Sequence, residues 1–266
     1  MTIAERINAE RVVLAGWSRA ILLQLAHPLV AQGVADHSTF RAGLFTAAVR
    51  LHQTVGAMRR LTFGSAPEAT RTLDGIRAIH AHVNGALRDT VGPFPAGTRY
   101  SAEDPTLLLW VHATLLDSLP LVYDRIVAPL TTADRDAWCV ESAPVARALG
   151  ATGDVPETWA ALQAYMAGMY ASGRIEVGDT ARGLAQDILS PRLSAAIAPA
   201  RTINRQVTVG LLPPLVRDQY GFVWRAHSDA RLQRTLRLLH ALRRVTPDRL
   251  AHWPDARHEP VAISRR

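Results

Sequence analysis

The segment of this chain best suited to chemistry is Ile76-Arg77-Ala78-Ile79-His80-Ala81-His82-Val83-Asn84-Gly85. A neutral imidazole held rigidly on an apolar helix face is a metal ligand, and with a cation one turn away it meets the needs of an axial haem ligand. The cation would neutralise a propionate or polarise bound oxygen. Upstream, Arg50 and Thr54 are four residues apart and share one helix face. If one helix runs through the whole segment, Arg77, His80 and Asn84 form a stripe, while His80 and His82 diverge by about 200°. Both histidines cannot then address one centre. On the residues alone, a core histidine is the plainer reading of His80 and a ligand the alternative.

The chain has ten histidines. His112 lies in the apolar run Leu107 to Leu116, where a buried ring must find a hydrogen-bond partner or a metal. His27 precedes Pro28 at a predicted helix end and can satisfy a free carbonyl there. His37 with Ser38 reads as a cap of the next helix, and His52 points away from the Arg50–Thr54 face. His227, His240, His252 and His258 lie in polar surroundings and read as surface residues. The lone Cys139 allows no internal disulfide and reads as a buried thiol.

Other chemistries are excluded by what the chain lacks. All 30 basic residues are arginine, which rules out a Schiff-base lysine or a phosphate-loop lysine. There is no H-E-x-x-H, no E-x-x-H, no G-x-S-x-G and neither glycine-rich nucleotide fingerprint. The net charge of +7 comes from dispersed arginines with only 6% aromatics, so a solvated surface is expected rather than a nucleic-acid stripe.

With 266 residues and 48% hydrophobic content, the chain can bury one large core. Val12 to Ala35 is apolar but interrupted by Arg19, Gln24, His27 and Pro28. It reads as a buried helix entering a proline bend, not as a signal or an anchor. The expectation is a cytoplasmic protein whose apolar helices allow peripheral membrane contact.

Helical periodicity predicts helices over Ala4 to Leu25, Ser38 to Met58, Pro67 to Leu87, Pro105 to Asp124 and Thr132 to Leu149. Further ones follow over Pro156 to Ala171, Thr180 to Ile188, Leu193 to Leu212, Pro213 to Tyr220 and Ser228 to Val245. Asp104-Pro105, Ser65 with Glu68, and Thr131 or Thr132 supply start signals. No period-two run is long enough for a convincing strand. The expected architecture is all-α, with a domain over residues 1–245 and a surface tail over 246–266.

The pattern Arg50-x-x-x-Thr54 followed by Arg77-x-x-His80-x-His82 resembles the latex-clearing rubber oxygenases and the wider mycophenolic-acid-pathway B-type oxygenase group. Supporting segments are Trp17-Ser18-Arg19, Ala26-His27-Pro28, His37-Ser38-Thr39-Phe40, Thr62-Phe63-Gly64, Tyr100-Ser101-Ala102-Glu103-Asp104-Pro105 and Trp110-Val111-His112. The resemblance implies a globin-like helical core around haem b, with His80 as the iron ligand. It places Arg50, Thr54, Arg77 and His82 near the haem as catalytic or pocket residues, with His27 and His112 among the cofactor contacts. In rubber oxygenases a lysine precedes the matched threonine; here that place is Gln53. The implied partners are O₂, an apolar alkene, isoprenoid or lipid-like substrate, and an electron donor that the sequence does not identify. Two other readings stay open: a haem sensor or carrier with His112 as second ligand, and a haem-free helical binding protein.

Overall fold

The computed structural model describes residues 1–37, 44–189 and 198–257, apart from the side chains of 44–52. The fold is all-α. Helices α1 (Ile3–Ala9), α2 (Leu14–Leu25), α3 (Pro28–His37), α4 (Leu44–Phe63) and α5 (Ala66–His80) precede a two-stranded hairpin, β1 (Asn84–Ala86) and β2 (Arg99–Ser101). Then follow α6 (Pro105–Ile126), α7 (Thr132–Leu149), α8 (Trp159–Ala171), α9 (Asp179–Leu189), α10 (Ala198–Leu211), α11 (Pro214–Gln219), α12 (Ala226–Val245) and α13 (Asp248–Ala251).

The start signals act as expected. Ser65 and Glu68 form a capping box for α5, Asp104 accepts a bond from the Thr106 amide, and Thr131 and Asp134 box the start of α7. α2 and α6 form the centre of the core. They approach so closely that a Cβ on Gly16 would lie 2.9 Å from the Ser118 carbonyl oxygen. Buried Arg19 ties three helices together. It pairs with Asp117 at 2.7 Å, donates to Ser118 Oγ at 2.6 Å, and donates through Nε to the Leu211 carbonyl at 2.7 Å. α6 is long and apolar enough to cross a bilayer, but 67% of its most apolar window is buried inside the fold, which marks it as a core helix.

The apolar N-terminal stretch bends by 108° between its two helical halves, around His27 and Pro28. The helix expected over Ala4 to Leu25 breaks at Glu10, whose extended backbone (φ −77°, ψ 116°) turns a buried carboxylate toward Arg243. The helix expected to reach Leu87 stops at His80, because Asn84–Ala86 pairs with Arg99–Ser101 instead. The residues after Val245 do not trail away. α13 and a 3₁₀ turn (Pro254–Arg257) return to the N-terminal helix: the Trp253 amide bonds to the Ala9 carbonyl at 3.0 Å, and Glu10 bridges to His252. The predicted helix start at Ser38 and the one at Leu193 lie outside the described residues.

Candidate functional site

A cavity of about 280 Å³ lies between α3, the end of α5, the hairpin and the first turns of α6. Leu29, Val30, Val34, Val83, Leu107 and Val111 give it apolar walls. Two histidines border it, His80 and His37. His80 is the last residue of α5 and only half-buried. Its Nδ1 is buried and has no hydrogen-bond partner among the described residues. Burial depresses its pKa, with Glu103 opposing, so the ring is neutral near pH 7 and keeps a free lone pair.

The hairpin sets this geometry. Gly85 faces Tyr100 in register, and a Cβ there would lie 2.5 Å from the phenol oxygen. Only glycine lets the Tyr100 ring cross the strand and donate to Asp36 Oδ2 at 2.7 Å. Gly33 on α3 gives room on the ring's other side, where a Cβ would lie 3.3 Å from the ring. Burial, and then the bond to Asp36, raises the Tyr100 pKa, so the phenol stays protonated. Arg88 also pairs with Asp36, which fixes the carboxylate from outside. His37, read from sequence as a cap, instead ends α3: its Nε2 lies 3.0 Å from the Asn84 carbonyl, and its ring is edge-on to Tyr100. A carbonyl can only accept, so Nε2 carries a proton in this bond. Sequence reasoning missed His37 because the pairing with Asn84 spans 47 residues.

The other expected site residues are distributed as follows. Thr54 is exposed on α4, and the Arg50 side chain lies outside the described residues. Arg77 is exposed; it donates through Nε to the Ala148 carbonyl at 2.7 Å, at the end of α7, and pairs with Asp74 at 3.1 Å. His82 is exposed, and its Nδ1 lies 2.8 Å from the Ala78 carbonyl, closing the end of α5. With α5 ending at His80, the helical stripe that joined Arg77 and His80 to Asn84 ends as well.

His27 and His112 do not border this cavity. His27 is fully buried, and neither ring nitrogen has a partner among the described residues. It sits 5.1 Å from the Phe94 ring, and its pKa is pushed down to about 4 by burial and by Arg174, with Asp104 opposing. Burial likewise lowers His112 to about 4, and its Nε2 is also without a partner. Burial pushes the Cys139 thiol up to about 12, assisted by Asp136, so no thiolate ligand is on offer.

A neighbouring cavity of about 320 Å³ near the start of α9 is bordered by Asp89, Glu176, Asp179 and Arg182 and by no histidine. Among the described residues, no group of three or more histidine, cysteine or carboxylate side chains could hold a metal ion alone. At the first cavity His80 brings a ring with a depressed pKa and an unpartnered Nδ1, and His37 borders the same space. A nitrogen donor among apolar walls is a donor set compatible with a haem, whose remaining ligands are not protein.

Residues 5–241 match the family described as ER-bound oxygenase mpaB/B'/Rubber oxygenase, catalytic domain. Two uncharacterized proteins, from Mycobacterium tuberculosis and Mycobacterium bovis, are each 25% identical over 237 residues, covering 86% of this chain and 88% of theirs. No solved structure matches the chain.

Proposed function

Because the chain belongs to the family of ER-bound mpaB-type and rubber oxygenase catalytic domains, we propose that it is a haem b-dependent oxygenase acting with O₂ on an apolar substrate. That substrate is an alkene, an isoprenoid or a lipid-like molecule. One observation carries the reading: His80 has a depressed pKa and a buried Nδ1 without a hydrogen-bond partner among the described residues, beside a cavity whose remaining walls are largely apolar. An unpartnered buried polar atom costs about 1–3 kcal/mol, a cost that a ligand role would account for.

Haem iron, when bound, supplies the oxygen activation that no side chain here can perform. His80 would hold the iron through a ring nitrogen. Leu29, Val34, Leu107 and Val111 exclude water and seat apolar edges. Tyr100, fixed by Asp36, keeps the hairpin against α3 and so holds the end of α5 in place. Thr54 on α4 is exposed and is not among the residues lining this cavity, so the reading rests on His80 and the apolar walls. An external electron donor is part of the proposal.

A second reading has its own support, since His37 borders the same cavity as His80. A haem held by both histidines would make the protein a sensor or carrier. The test is the absorption spectrum of protein produced with added haem precursor, oxidised and reduced, alongside His80→Ala. A Soret band that disappears in the variant is expected. Full haem retention with an unchanged spectrum in His80→Ala would remove His80 from the site. A low-spin spectrum insensitive to carbon monoxide would favour the second reading. No Soret band, even after reconstitution, would end both.

A further inference from the structure

α12 carries a face that the core does not use. Leu232 and Leu236 are buried and point inward. At 100° per residue, the opposite side carries Arg231, Arg234, Leu238, Leu242 and Val245 in one stripe. Leu238 is 56% exposed, Leu242 50% and Val245 77%, and Leu250 on α13, at 61%, follows just beyond the helix end. Scattered exposed leucines are ordinary; apolar residues at i, i+4 and i+7 on a twenty-residue helix form a patch.

The charges around this patch are one-sided. Arg231, Arg234, Arg237 and Arg244 are exposed, and none has an acid partner among the described residues. The nearby acids are used internally. Asp229 accepts from Trp224 Nε1 at 2.9 Å, Asp248 pairs with Arg243 at 2.8 Å, and Asp255 pairs with Arg59 at 2.5 Å. The face is therefore apolar at one end and cationic at the other, with no free carboxylate in the stripe.

We propose that this face docks the protein on an anionic lipid bilayer. Leu238, Leu242, Val245 and Leu250 would enter the interfacial region, and the arginines would lie against headgroup phosphates. Charge complementarity selects this occupant. A two-fold contact with a second copy would bring the same unpaired arginines to both sides of one interface, with no carboxylate in the stripe to answer them. Nucleic acid would use the arginines and leave the leucines in water. The inference is independent of the haem reading, because it uses no residue of the His80 cavity.

The experiment is co-sedimentation of the full chain with vesicles of phosphatidylcholine alone and of phosphatidylcholine with phosphatidylglycerol. Two variants accompany it, Leu238→Glu/Leu242→Glu and Arg231→Gln/Arg234→Gln/Arg237→Gln, each checked for retained fold by circular dichroism. All five side chains are exposed, so the fold should survive both changes. The wild type should bind the anionic vesicles, lose binding as salt rises, and bind neutral vesicles weakly. The arginine variant should bind on the order of a hundredfold more weakly, at about 1 kcal/mol per arginine near an anionic surface. The leucine variant should also lose binding. Wild type that stays in the supernatant with anionic vesicles would overturn the proposal. So would leucine and arginine variants that both sediment like wild type, or a wild-type dimer in light scattering that the leucine variant dissolves.

Discussion

His252 and His80 carry the same ring in opposite surroundings. His252 Nε2 lies 2.9 Å from Oε1 of Glu10, and that buried carboxylate takes two further bonds from Arg243, at 2.7 and 2.6 Å. Arg11 and Arg59 flank the Trp253 ring at 5.1 and 5.4 Å. Around Glu10 the polar groups answer one another, and the result is a seam that fastens the C-terminal residues to α1 and α4. Around His80 the buried Nδ1 has no hydrogen bond among the described residues, and leucines and valines form much of the wall. The first histidine contributes stability; the second is held at a cost in stability. The difference separates a histidine that closes the fold from one kept open for a ligand.

The largest expected effect lies at the seam. Glu10→Ala removes the buried shared acceptor and leaves Arg243 and His252 with only the exposed Asp248 as an anion among the described residues. Stability should fall by about 3–5 kcal/mol, as for other buried pairs broken on one side. Urea unfolding measures it. A loss below about 1 kcal/mol would mean the seam is a surface pairing, and the contrast with His80 would weaken.

An intermediate effect comes from two histidines with buried ring nitrogens that lack a partner among the described residues, both nitrogens of His27 and Nε2 of His112. His27 and His112 have folded-state pKa values near 4, below the ordinary 6.5. The unfolded chain therefore binds more protons between these values, so stability is complete above pH 6.5 and lost as pH falls toward 4. Each contributes roughly 3 kcal/mol to that loss, from a depression of about two and a half pH units at 1.36 kcal/mol each. His27→Leu should flatten the slope measured by urea unfolding across this window. An equally steep slope in the variant would show that His27 finds a partner in solution.

The smallest effect sharpens the boundary of the site. Arg77 donates to the Ala148 carbonyl and its neighbour Asp74 rather than facing the cavity. Arg77→Ala should cost about 1 kcal/mol of stability, the worth of one such hydrogen bond, with no change in any haem spectrum. A lost or shifted Soret band would return Arg77 to the cofactor.

Much of the fold was legible because its signals are local. The caps at Ser65, Asp104 and Thr131 and the bend before Pro28 each act within a few residues, and each is where the residue types predict it. The candidate site was only partly legible. His80 stood out by its type and its apolar neighbours. His37 did not, because its role depends on Asn84 and Tyr100, which reach it only when the hairpin folds against α3. The end of α5 was misjudged for the same reason: the residues from Asn84 to Ala86 have no strong preference until Arg99–Ser101 pairs with them.

The sequence by itself determined the all-α class, most helix starts, the membership of an oxygenase family and the one histidine worth testing first, because periodicity, caps and motifs are properties of neighbouring residues. Tertiary structure alone decided which way Arg77 points, that His37 joins His80 at one cavity, and that the chain after Val245 folds back on Glu10. These depend on contacts between residues 47 to 242 apart in sequence, where the partner is supplied by the packed fold rather than by the local chain.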